Sequence, residues 1–83
     1  MKHADDTTLD ALEHMLLHLR RLDGIREKKR GLFYRKSQAF LHFHDDPRGI
    51  FADVRSDTGW LRRRVSTRAE RRRFLQLVKT LLH

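Results

Sequence analysis

The sequence contains no cysteine, no long apolar run and no internal repeat. The missing cysteine excludes disulfide frameworks, thiolate zinc sites and cysteine nucleophiles, so stability must come from packing alone. Because no long apolar run is present, no signal peptide or membrane span is visible, and we expect a cytoplasmic protein. A chain of 83 residues predicts one small domain, 1–83, without a deep cleft between domains, which argues against an enzyme.

Acidic residues are too few to balance the basic ones. The chain has 19 lysines and arginines against 11 aspartates and glutamates, a formal charge of +8. An excess of this size in so short a chain attracts polyanions such as nucleic acid, anionic lipid or an acidic partner. The alternative is that the charge serves only to keep the protein soluble.

The N-terminal part of the sequence predicts an amphipathic helix. Thr7 and Asp10 resemble a capping arrangement, so the helix should begin near residue 8 and leave residues 1–6 as a loose tail. We expect this helix to end at Gly24. The apolar stripe recurs at steps of three and four and consists of Leu9, Leu12, Met15, Leu16, Leu19 and Leu22.

A second helix is predicted at the other end of the chain, with three or four strands between the two helices. Thr67 and Glu70 form a capping box that opens this helix. Residues 26–31 are predicted to form a basic connector, and turn-forming residues separate the segments that follow this connector. The predicted strands are residues 32–35, 39–44, 50–55 and 60–65. The fold class is therefore α+β: a helix, a three- to four-stranded antiparallel meander and a helix, with both helices on one face of the sheet.

Strand register follows from gathering the apolar residues on one side of the sheet. Pairing Leu41 with Val54 and Phe43 with Ala52 achieves this, and a slip of one residue would send these side chains to water. The opposite face then holds three cross-strand rows whose members can touch. The rows are Phe40, Arg55 and Trp60; His42, Asp53 and Arg62; and His44, Phe51 and Arg64.

These rows predict a binding face, and the leading hypothesis is contact with nucleic acid or another polyanion. Aromatic rings can stack on unpaired bases while arginines take the phosphates. Additional basic contacts are expected from Lys28, Lys29, Arg30, Arg71 and Arg72. Two alternatives use the same residues: a solvated face without a ligand, and a surface for self-association or a protein partner.

A metal site is the third alternative, and no other cofactor is expected. His42, His44 and Asp53 are the candidate ligands, because two imidazoles and a carboxylate suit zinc or iron. The run from His42 to Asp46 superficially resembles the histidine-rich motif of metallo-β-lactamase-like hydrolases, but Pro47 stands where that motif needs another histidine. His14 and His18 read as solvated side chains, and His3 and His83, near the termini, receive no functional assignment.

Roughly the C-terminal two-thirds of the sequence resembles short bacterial proteins of unknown function. The resemblance is carried by residues 31–34, 39–44 and 49–54. It suggests a bacterial origin, implies no activity and transfers no catalytic residue.

Overall fold

The protein has an α+β fold with an open, six-stranded antiparallel sheet and three helices. The computed structural model describes all 83 residues. The elements are β1 (Lys2–His3), α1 (Asp6–Ala11), α2 (Glu13–Arg20), β2 (Arg26–Lys29), β3 (Leu32–Arg35), β4 (Gln38–Asp46), β5 (Gly49–Ser56), β6 (Gly59–Arg64) and α3 (Arg68–Leu81). The α+β class and the antiparallel sheet are confirmed, but the chain has six strands and three helices where three to four strands and two helices were predicted. No helix combines the length and apolar character needed to span a bilayer.

The sheet has the order β2-β3-β4-β5-β6, with β1 added to β4. In β1, Lys2 lies opposite Asp45 and His3 lies opposite His44. Because β5 already pairs with this half of β4, β1 must occupy the other edge, beyond the end of β3. The backbone N–H of Ala4 extends the pairing by donating to the carbonyl of Phe43 at 3.1 Å. The start of the chain is therefore docked, and the predicted loose tail over residues 1–6 is wrong.

The first helical region begins earlier than predicted. Asp5 is the N-cap, and its carboxylate accepts a hydrogen bond from the backbone N–H of Thr8 at 3.0 Å. The predicted cap at Thr7 is wrong because the helix already starts at Asp6. A tightened turn at Leu12 separates α1 from α2. The helix ends at Arg20, with Arg21 as its C-cap, four residues before the predicted stop at Gly24, and Gly24 has a φ of +96° in the turn that follows.

The segment predicted to be a basic connector forms β2. Arg26 pairs with Tyr34 and Glu27 pairs with Phe33, which makes β2 an outer strand of the sheet. Charged side chains are common on edge strands, where they discourage pairing with another chain. Glu27 also accepts a hydrogen bond from the backbone N–H of Gly31 at 2.9 Å, which ties the turn between β2 and β3 to the strand.

The apolar face of the sheet follows the predicted register. Leu41 lies opposite Val54, and Phe43 lies opposite Ala52, and these four residues are fully or almost fully buried. Fourteen buried residues form one core cluster: Leu9, Leu12, Met15, Leu16, Leu19, Phe33, Phe40, Leu41, Phe43, Ala52, Val54, Val65, Phe74 and Val78. Side chains from all three helices and from the sheet thus share a single core.

Phe40 is buried, with 2% of its surface exposed, and does not lie on the open face. Phe33 is opposite Leu41 and Tyr34 is opposite Ala39, so β4 has one more residue than β3 at this point. Such a β-bulge re-aims the side chain of the extra residue. Phe40 consequently joins the core, and its predicted place on the binding face is wrong.

Candidate functional site

The open face of the sheet carries two of the three predicted rows. His42, Asp53 and Arg62 lie opposite one another across β4, β5 and β6. The neighbouring row contains His44, Phe51 and Arg64, in the predicted register. The third row is incomplete because Phe40 is missing from it, although Arg55 and Trp60 are still paired.

Asp53 is the centre of this face and is almost completely buried. Its carboxylate accepts hydrogen bonds from Nε and Nη2 of Arg62 at 2.7 and 2.9 Å. Nε2 of His44 lies 2.9 Å from Oδ2 of the same carboxylate. Burial by itself would raise the pKa of Asp53, but the bonds from Arg62 and His44 hold it below its ordinary value. Asp53 is therefore an ionised carboxylate fixed between a guanidinium and an imidazole.

A third histidine, His3 of β1, completes a cluster with His42 and His44. The ring centroids of His3 and His44 are 5.1 Å apart, those of His42 and His44 are 4.7 Å apart, and those of His3 and His42 are 6.1 Å apart. One nitrogen from each of the three rings lies within 4.8 Å of the corresponding nitrogens of the other two. Sequence reasoning missed His3, because a strand of two residues has no pattern that marks it.

His42 is the least satisfied member of the cluster. Its Nδ1 is buried without a hydrogen-bond partner and lies 3.9 Å from Oδ2 of Asp53. Burial lowers the pKa of His42 below its ordinary 6.5, and the neighbouring His44 acts in the same direction. The indole of Trp60 packs edge-on against the ring at a centroid distance of 4.9 Å.

The aromatic part of the predicted face is smaller than expected. Phe51 is half-buried and has the guanidinium of Arg48 5.7 Å from its ring centroid. Trp60 is 42% exposed, and the guanidinium of Arg55 lies 4.4 Å from its ring centroid. Arg55 and Trp60, two members of one predicted row, are thus in contact, but only one ring remains as an exposed platform.

Several of the predicted basic contacts have partners within the chain. Arg30 forms ion pairs with three carboxylates of α1 and α2. Arg64 pairs with Glu70, and Arg71 donates to the carbonyl of Val65 at 2.8 Å. The remaining predicted contacts, Lys28, Lys29 and Arg72, are exposed and form no ion pair.

The unpaired positive charge is concentrated in the C-terminal part of the chain. Residues 54–83 contain nine lysines and arginines, of which only Arg62 and Arg64 pair with carboxylates, and this segment has only Asp57 and Glu70 as acids. Arg68, Arg72 and Lys79 share one exposed stripe of α3, because residues four and eleven positions apart lie on the same side of a helix. The same helix contacts β6, the basic outer strand of the sheet.

Comparison of the chain with protein-family models, with curated proteins and with solved structures gave no match.

Proposed function

We propose that this protein is a non-enzymatic module that binds single-stranded nucleic acid along β6 and the exposed stripe of α3. The observation that carries the proposal is the excess of unpaired cations. Of the 19 lysines and arginines, only Arg20, Arg30, Arg48, Arg62 and Arg64 form ion pairs with carboxylates, which leaves fourteen without one. A surface of unpaired cations binds phosphates with release of counterions.

The arrangement of β6 and α3 suits an extended strand. In this proposal the three helices cover the apolar face of the sheet, so β6 stays accessible along its outer edge. Trp60 offers a ring on the open face on which a base can stack, and the exposed Arg63 projects from the opposite face of the same strand. Stacking on an aromatic ring contributes about 1–3 kcal/mol per base and tolerates any sequence.

Self-association through β6 is the second candidate, because this outer strand has a free edge and carries the exposed Trp60. Pairing of two copies along β6 would, however, bring the run from Arg62 to Arg64 close to its copy. Like charges facing one another across strands are destabilising. The charge therefore favours a polyanionic partner over a second copy, and light scattering at high protein concentration distinguishes the two.

The test is fluorescence anisotropy with a labelled single-stranded oligonucleotide at several salt concentrations, in the presence of a chelator. The variant Arg68→Glu/Arg72→Glu should weaken binding at least about tenfold and make the salt dependence shallower by about one to two in slope. Both residues are exposed and unpaired, and an acidic residue in the first turn of a helix is favourable, so the fold should tolerate the change.

The matched control is Arg26→Glu/Lys29→Glu, which removes the same charge from the opposite edge of the sheet. This control should weaken binding less than about threefold, through its long-range field only. Equal weakening by the two double variants, or no binding by the unmodified chain at low salt, would contradict the proposal.

A further inference from the structure

We propose that His3, His42 and His44 bind a divalent transition-metal ion of the zinc class. This site adjoins the nucleic-acid surface proposed above, because Trp60 of β6 packs against His42, but none of its three ligands lies on β6 or α3. It also differs from the site predicted from the sequence. The predicted ligand Asp53 is already held by Arg62 and His44, and the third imidazole comes from β1 instead.

Strand pairing brings the three imidazoles onto one face. His3 lies directly opposite His44 in the β1–β4 pair, so the two side chains project on the same side of the sheet. His42 precedes His44 by two residues in β4 and therefore shares that side. All three are anchored to the same central strand, two as members of it and one as its neighbour.

The spacing of the ring nitrogens is close to what a metal requires. Tetrahedral zinc with Zn–N bonds of 2.0–2.1 Å holds its nitrogen ligands about 3.4 Å apart. The three nitrogens here lie within 4.8 Å of one another. Closing the widest pair onto an ion needs a shift of about 1.4 Å, which rotation of side chains can supply. His3 is exposed near the chain end and is free to contribute most of this movement.

The hydrogen bonds around His44 leave a nitrogen for a metal. An ionised carboxylate can only accept hydrogen bonds, so Nε2 of His44 must donate to Asp53. In the neutral ring Nδ1 then keeps its lone pair. Histidine ligands in metal proteins commonly donate their other ring nitrogen to a carboxylate, which fixes the tautomer and the ring orientation. Arg62 in turn fixes Asp53 through two hydrogen bonds.

The buried Nδ1 of His42 is a second indication. This atom lacks a hydrogen-bond partner, although a buried polar atom without one is costly. A metal ion next to Nδ1 of His42 would accept the lone pair of this nitrogen and so give it a partner. An open hollow in the surface is lined by His42, His44, Asp53, Trp60 and Arg62.

The donor set selects the class of ion. Imidazole nitrogens suit Zn²⁺, Cu²⁺ and Ni²⁺, whereas Mg²⁺ and Ca²⁺ prefer oxygen ligands. Three protein ligands leave the fourth position of a tetrahedral ion for water or another small ligand. We therefore expect Zn²⁺ to bind and Mg²⁺ not to compete with it.

The test uses the full chain without a histidine tag, stripped of metal by a chelator. Calorimetric titration with ZnCl₂ should show one ion per chain. Titration with CoCl₂ should quench the fluorescence of Trp60, the only tryptophan, with the same stoichiometry, because its ring contacts His42. His3→Ala should lower the zinc affinity more than about a hundredfold, beyond the 10- to 100-fold effect typical of residues that only orient a ligand.

The second pair of histidines in the chain provides a matched control. His14 and His18 of α2 stack with a centroid distance of 5.0 Å and are exposed, but no third imidazole joins them. His14→Ala/His18→Ala should leave the zinc affinity and the quenching unchanged. The proposal is overturned by wild-type zinc affinity in His3→Ala, or by an equal loss in the α2 double variant. The test uses His3→Ala because His3 is exposed, so this variant should fold even where His44→Ala, a variant of the buried His44, does not.

Discussion

Glu70 shows how much a single side chain organises in this small domain. Its Oε1 accepts hydrogen bonds from the backbone N–H groups of Ser66 and Thr67, both at 2.9 Å. Arg64 donates to the same carboxylate, which links the end of β6 to the start of α3. These backbone hydrogen bonds, first that of Thr67, and the contact with Arg64 hold the pKa of Glu70 below its ordinary 4.5.

We therefore expect Glu70→Gln to alter stability in a pH-dependent way. A lowered pKa in the folded state contributes stability that is present above about pH 4.5 and is lost as the pH falls through the folded value. Glutamine can still serve in the capping box, so the substitution isolates the charge. Urea unfolding should show a deficit of the variant near pH 6 that disappears in acid. A deficit of equal size at all pH values would contradict this origin.

At the residue scale, the sequence correctly predicted contacts in which a side chain and its backbone partner are close along the chain. The capping box from Thr67 to Glu70 spans three residues and has a recognisable signature, and it is confirmed. His3 and His44 are 41 positions apart, and nothing in the sequence relates them. Asp53 was placed correctly between His42 and Arg62 because register alone decides that position.

At the scale of elements, the bulge in β4 changes which residues form the core. It turns Phe40 inward, so this strand contributes two consecutive aromatic and aliphatic side chains, Phe40 and Leu41, to the core cluster. Strict alternation would have placed one of them in solvent. Alternation predicted the face of each residue from Leu41 to His44 correctly.

We expect Phe40→Ala to lower the free energy of unfolding by about 3–5 kcal/mol, the usual cost of removing a buried phenylalanine side chain. Phe51→Ala is the matched control, since the sequence assigned both rings to the open face. Phe51 is only half-buried, and its loss should cost about 1–2 kcal/mol. Chemical denaturation measures both values. Equal costs would mean that Phe40 is not a core residue.

The two strands absent from the prediction, β1 and β2, share a physical cause. Neither has a period-two apolar pattern: β2 reads Arg-Glu-Lys-Lys, and β1 has only two residues. Both are held by backbone hydrogen bonds to a neighbour whose own pattern is strong. Tertiary context, which a single sequence does not display, decides such segments. The long strands β4, β5 and β6 end within about two residues of their predicted limits.

At the scale of the whole molecule, the charge imbalance acts over the full diameter. The principal extents are 31, 22 and 21 Å. The Debye length is about 30 Å at 0.01 M salt but only about 8 Å at 0.15 M. At low salt every unpaired cation therefore repels every other, and this repulsion destabilises the compact state.

We expect the melting temperature to rise when sodium chloride is increased from about 0.01 to 0.15 M, because screening relieves this repulsion. Differential scanning calorimetry on the chelator-treated protein measures the change. The ion-pair cluster of Arg20 and Arg30 with their carboxylates is weakened by the same salt, but exposed pairs contribute little. A fall in the melting temperature would show that these pairs outweigh the repulsion.

The docking of β1 also has a consequence for the order of events in folding. Its partner β4 lies about forty residues later in the chain, whereas the hairpin of β4 and β5 closes through a turn of two residues. Contacts distant in sequence form late, since the loop between them must first be closed. His3 thus precedes its partner His44 by 41 positions and is among the last residues to reach its place. A metal ion added during refolding should find two histidines early and the third only at the end.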